Sequence, residues 1–154
     1  MSTLKDDVAM LRRVALFSSV DPSKLKLIAY TASQRVFEDG EMVFEKDSNG
    51  TSAYLIVRGE AEILVESGGK QVVVAVHGRN ALFGEISAFC DVPRTAGVRA
   101  RGQLSVLELK RENLMELIHE FPEVAVEVIR ELARRLATTT SDLAHVLDSK
   151  ETPD

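Results

Sequence analysis

The feature that most limits the fold is a run of short β-forming segments, broken by turn signals, between residues 34 and 110. Within it VFEDGEMVFE reads as two short strands about the Asp39-Gly40 turn. SAYLIVRGEAEILVE reads as two strands hinged at Gly59. Ser67-Gly68-Gly69-Lys70 is a further turn, and the apolar run QVVVAV that follows reads as a buried strand. GVRA and LSVLELK add two strands around Gly102. Short strands at this spacing predict an antiparallel β-roll, jelly-roll-like in character.

Helical patterns flank this run. Val8, Leu11 and Ala15 share a face of a helix expected from Leu4 to Val14. Asp21-Pro22 is a helix start, with Asp as N-cap and Pro at the first helical position, and Leu25, Ile28 and Ala29 follow at helical spacing. After the strands, a short helix is expected from Lys110 to His119, and Pro122 opens a long one to about Leu147. On the long helix Ala125, Val128, Leu132, Leu136, Thr139, Leu143 and Val146 form one apolar stripe. That stripe suits a coiled-coil seam or a packing face on the roll, and different turns can serve each. The expected class is therefore mainly β with flanking helices. One domain spans residues 1–148, with N-terminal helices over 4–32, the roll over 33–110 and C-terminal helices over 111–147. Residues 149–154 read as a loose tail.

A chain of 154 residues with 45% hydrophobic residues suits one folded domain. Its net charge of -5 argues against specific DNA as a partner, because phosphate contacts call for a basic face. No apolar run reaches bilayer length, so no membrane span is expected. The single cysteine, Cys90, excludes an internal disulfide, and the N-terminus lacks a signal-peptide core, which together point to the cytoplasm.

One segment inside the roll carries chemistry: Phe83-Gly84-Glu85-Ile86-Ser87-Ala88-Phe89-Cys90-Asp91-Val92-Pro93-Arg94-Thr95-Ala96. Gly84 permits close backbone approach. Residues 85–89 can form one helical turn whose free N–H groups favour an anion. Arg94 adds a fixed positive charge able to hold a phosphate with two parallel hydrogen bonds. Glu85 is an acceptor for paired sugar hydroxyls, so the set matches a ribose phosphate. The plain alternative is a loop closed by a Glu85–Arg94 salt bridge.

This segment resembles the phosphate-binding cassette of the cyclic-nucleotide-binding domains, the family of catabolite activator proteins, kinase regulatory subunits and nucleotide-gated channels. Phe83-Gly84-Glu85 and Arg94-Thr95-Ala96 carry the match. Leu16-Phe17 and Tyr54-Leu55-Ile56-Val57 with Gly59 extend the likeness to most of the chain. The resemblance implies that Glu85 binds the ribose 2′-hydroxyl and Arg94 the cyclic phosphate. It implies that the amides of Ile86, Ser87 and Thr95 complete the cradle, with the long last helix as a lid. Arg134-Arg135-Leu136 aligns with the activator proteins' lid helix and puts Thr139 and Thr140 at the base; Arg135 can reach the ligand or Glu85. The turn at 77–82 departs from the family's usual P-G-D-like pattern, and Asn80 is expected to take its left-handed position.

The expected function is a cyclic nucleotide sensor with no catalytic residue, metal or cofactor. Cyclic AMP is favoured over cyclic GMP by the Thr139-Thr140 pair. Its output passes through the last helix, to a second copy or a protein partner. The alternative is the sensing piece of a larger receptor or transcription regulator. A metal-dependent barrel enzyme of the cupin kind would need clustered ligands, whereas His77, His119 and His145 are scattered. A degenerate domain kept only for protein contacts would need neither Glu85 nor Arg94.

Overall fold

A computed structural model describes residues 3–151, with side chains through Asp148. Helix α1 (Leu4–Arg12) opens on a reciprocal cap: the Thr3 hydroxyl accepts from the Asp6 N–H, and the Asp6 carboxylate accepts from the Thr3 N–H. It ends short of Val14, which is extended and buried and leads into a 3₁₀ turn at Ala15–Phe17. Stopping the helix there lets Val14, Leu16 and Phe17 all enter the core. Helix α2 (Pro22–Thr31) starts as expected, with Asp21 accepting from the Ser23 N–H at 2.9 Å.

Among the described residues the strands are β1 (Ser33–Phe37), β2 (Met42–Phe44), β3 (Ser52–Ser67), β4 (Lys70–His77), β5 (Leu82–Phe83) and β6 (Gly97–Lys110). They form one antiparallel sheet in the order β1-β6-β3-β4, with β2 also on β6 and β5 also on β3. This is the expected roll, but its parts connect differently in three places. β1 and β2 do not pair with each other. The turn between them bonds to β6 instead, with Gly40 N–H donating to Ala100 C=O and Ala100 N–H to Glu41 C=O, both at 2.9 Å. β3 and β6 are each one continuous strand, bent at Gly59 and Gly102 rather than divided there. Gly59 has φ +91°, and a Cβ would lie 2.3 Å from the Gln103 carbonyl oxygen, so the bend needs glycine. β4 is the third difference. Its valines, read as buried, are exposed, and Val74 retains 56% of its accessible surface. β4 pairs with β3 at the end of the sheet order, and among the described residues nothing buries these valines. An apolar run by itself does not say which side of a sheet is covered.

Asn80 has φ +73°, the left-handed conformation expected of it. Two apolar clusters divide the interior. One joins α1, α2 and the first turns of the C-terminal helices to one end of the roll. The other fills the roll itself, with Phe37, Tyr54, Ile56, Phe83 and Leu104 among its members.

Helix α4 (Arg111–Glu120) buries Leu114 and Leu117, and α5 (Pro122–Glu151) buries Val124 and Val128. From there the stripe on α5 leaves the roll: Leu136 is 68% exposed, and Leu143 and Val146 are exposed too. Residues 149–151, read as tail, continue this helix; residues 152–154 lie outside the described residues. Among the described residues, no helix is long and apolar enough to cross a membrane.

Candidate functional site

The site begins where β5 ends. Phe83 pairs with Tyr54 of β3, and Gly84 then turns left-handed at φ +78° to start the six-residue helix α3 (Glu85–Cys90). A Cβ at Gly84 would lie 2.8 Å from Arg94 Nη1 and 3.1 Å from the Ser52 carbonyl oxygen, so glycine is required for both conformation and space. The first α3 bond joins Ala88 N–H to Gly84 C=O at 3.3 Å, so the amides of Glu85, Ile86 and Ser87 precede the helical ladder. Asp91, left-handed at φ +53°, ends α3 and turns the chain back.

That return delivers Arg94. Its N–H donates to Ser48 C=O at 2.9 Å, and its C=O accepts from Asp47 N–H at 2.8 Å, which ties the residue to the loop before β3. The side chain is 2% exposed. Nη1 donates to Gly84 C=O at 3.0 Å and Nη2 to Ser52 C=O at 2.8 Å. The guanidinium carbon lies 4.0 Å from the Phe44 ring centre and 5.9 Å from that of Tyr54. Gly50 makes room for it, since a Cβ there would fall 2.5 Å from Nε. Nε itself is buried with no hydrogen-bond partner among the described residues.

Arg94 takes part in none of the ion pairs among the described residues, so the expected alternative of a Glu85–Arg94 bridge is not what forms. Burial pushes its pKa below the usual arginine value, with the neighbouring Tyr54 and Glu108 acting in the opposite sense. The nearest compensation is indirect: the Ser52 hydroxyl donates to Glu108 Oε2 at 2.6 Å, and Glu108 pairs with Arg35 at 3.4 Å. Tyr54, stacked on Phe83 at 5.2 Å, has its hydroxyl pKa raised, first by burial. A buried cation with a free donor and no carboxylate in contact is costly, and an anion is the group that relieves it.

A cavity of about 200 Å³ opens beside this guanidinium. All eight cassette residues singled out from the sequence line it: Phe83, Gly84, Glu85, Ile86, Ser87, Arg94, Thr95 and Ala96. Phe44, Ile63, His77, Leu82 and Val98 complete the wall. None of the five was singled out: Leu82 and Val98 flank the cassette and read only as strand residues, whereas Phe44, Ile63 and His77, like Gly50 and Ser52 behind Arg94, lie outside it on other strands and loops. Only the strand alternation signalled that Phe44 and Ile63 could face inward.

Glu85 meets the last helix. Arg135 Nη1 donates to Glu85 Oε1 at 2.7 Å, and Arg135 Nε lies 3.5 Å from Glu131 Oε1. Arg135 therefore reaches Glu85, one of the two destinations open to it. Thr139 and Thr140 do not reach the cavity: both are exposed and neither lines it. α5 has left the roll by that turn, and a threonine lacks the length that carries Arg135 back. Among the described residues, no three His, Cys, Asp or Glu side chains group as a metal site.

Residues 34–121 match the family model described as the cyclic nucleotide-binding domain. The chain is 28% identical to a CRP-like cAMP-activated global transcriptional regulator of Mycobacterium tuberculosis, over 90% of this chain and 62% of that one. It is 34% identical to a cAMP-dependent protein kinase regulatory subunit of Emericella nidulans, over 71% of this chain and 26% of that one. The N-terminal domain of a transcriptional regulator from Streptomyces coelicolor superposes with a TM-score of 0.75 at 30% identity, covering 87% of this chain and 94% of that one. The chain thus spans less than two thirds of the length of either curated relative. All three are named as regulators or as a regulatory subunit. Because the family match runs from β1 through the cassette to Phe121 and takes in more than half of the residues, the protein belongs to the cyclic nucleotide-binding domain family.

Proposed function

We propose that the protein is a cyclic AMP sensor whose ligand lies in the cavity beside α3 and whose output passes through α5. The observation that carries this reading is Arg94, a buried guanidinium with an unpaired Nε and no carboxylate in contact. The cyclic phosphate supplies the missing anion. Arg94 pairs with it, the amides of Ile86, Ser87 and Thr95 donate to its oxygens, and the Thr95 hydroxyl adds to the cradle. Glu85 accepts the ribose 2′-hydroxyl. Since Arg135 of α5 shares that carboxylate, a ligand hydroxyl arriving there acts on the helix as well. Movement of α5 is then a shift between two arrangements that the ligand stabilises unequally.

Cyclic AMP is favoured over cyclic GMP because the relatives' names specify cAMP. Thr139 and Thr140 contact the base only if α5, or α5 of a second copy, closes over it. The exposed stripe on α5 supports a homodimer. Sequence-specific DNA binding by these residues is not expected, given the net charge of -5. A second reading, the sensing piece of a longer regulator, is favoured by the coverage of the mycobacterial relative, 62% of its length.

Thermal denaturation with cyclic AMP, cyclic GMP and AMP tests the proposal. A ligand at 100 times its Kd stabilises the native state by about 2.7 kcal/mol. Cyclic AMP should shift the melt most, and AMP, with its open and doubly charged phosphate, far less. Absence of any shift with both cyclic nucleotides at millimolar concentration would overturn it.

A further inference from the structure

The cassette helix is held at its far end by one residue from outside the cassette. Arg111, the first residue of α4, donates from Nε to Ala88 C=O and from Nη1 to Asp91 Oδ1, both at 2.9 Å, and from Nη2 to Ser87 C=O. A helix of six residues leaves its last carbonyls without internal donors. A guanidinium there satisfies them and meets the negative end of the helix dipole. α3 has no side-chain cap at its start. Asp91 is 87% exposed, so its ion pair with Arg111 contributes little, and the two carbonyl bonds matter more.

Arg111 also belongs to the element that leads to α5. α4 packs Leu114 and Leu117 into the same cluster that takes Ala88 from α3 and Val124 and Val128 from α5. Phe121 alone separates α4 from α5. One guanidinium therefore ties the back of the proposed ligand cradle to the start of α4, the helix that leads into α5. The sequence offered no sign of this, since an arginine after a strand reads as a surface charge.

We infer that Arg111 is a positioning residue: it holds α3 in place for the ligand and passes displacement of α3 through α4 to α5. The inference rests on the proposed binding and helix movement, and its test separates the two. Arg111→Ala, Arg111→Lys and Asp91→Asn are compared with the parent by amide hydrogen exchange, thermal denaturation and calorimetric titration with cyclic AMP. Without nucleotide, the α3 amides of Arg111→Ala should exchange about tenfold faster, and its affinity should fall about tenfold, the scale of losing a charged hydrogen bond. At saturating cyclic AMP, residues 122–135 should change their exchange in the parent but not in Arg111→Ala. Lys, with one point charge and no fork, should restore part of the α3 protection. Asp91→Asn should follow the parent. A folded Arg111→Ala with parental α3 exchange overturns the positioning role, and one that still alters α5 exchange at saturation overturns the transmission. A parent that never responds to cyclic AMP sinks the proposed function and the transmission together, while α3 exchange without nucleotide still decides whether Arg111 holds the helix.

Discussion

Arg94 gives up almost all of its hydration and receives in return two backbone carbonyls and an aromatic face, but no carboxylate. Its charge is thus left without a neutralising carboxylate, which is the ground for proposing that it meets a ligand's phosphate. Arg94→Ala should weaken cyclic AMP binding by about 2–5 kcal/mol, the usual cost of truncating one side of a buried charge pair, or roughly two or more decades in Kd. Lys should recover only part, because it keeps the charge without the two-pronged geometry. Glu85→Ala should also lose affinity, and that loss should shrink when the ligand is 2′-deoxy cyclic AMP, which has no hydroxyl to offer. Titration calorimetry of both variants against both ligands checks this; equal losses for the two nucleotides would assign Glu85 to loop support. Glu85 and Arg94 were legible because the cassette is contiguous in sequence. Gly50 and Ser52, which make Arg94's bed, were not, because only the sheet brings residues some forty positions away against it.

The joint between α2 and α5 shows how an element is secured. Lys24 pairs with Glu123 in the first turn of α5 and lies 5.2 Å from the Phe121 ring centre. The Lys24 hydrogen bond holds the Glu123 carboxyl below its ordinary pKa. A carboxyl depressed in the folded state contributes stability above its unfolded pKa and loses it as pH falls through the folded one. At neutral pH the parent should therefore melt above Glu123→Gln, and the gap should close as pH drops below the ordinary carboxylate range. Melting curves of both proteins from neutral pH to about pH 3 check this, and a gap independent of pH would mean that the pair does not secure the joint. Element starts were legible from their caps, as at Asp21-Pro22. Strand partners were not, because the hydrogen-bonding needs of the Asp39-Gly40 turn are met by β6, which lies about sixty residues further on. The exposed valines of β4 make the same point: their apolar run described the residues, and the sheet order decided what covered them.

At the scale of the whole molecule, the distal half of α5 carries an apolar stripe that the roll does not cover. Leu136, Leu143 and Val146 stand clear of the roll, an arrangement suited to a helix pair with a second copy. Leu136→Glu should convert the protein from dimer to monomer in sedimentation. It should move the stability of the single chain by no more than about 0.5 kcal/mol, since the side chain is exposed there. A parent that is monomeric with and without cyclic AMP would remove the dimer from the proposal. By itself, the sequence determined the β-roll between helices and the contiguous cassette that lines the cavity, because turn glycines, caps and a short contiguous motif act locally. The tertiary structure decided that Arg94 is buried without a carboxylate, that Glu85 is shared with Arg135, that Arg111 caps the cassette helix, and that Thr139 and Thr140 lie away from the cavity. Each of those depends on residues far apart in the chain meeting at a particular distance, which local pattern does not encode.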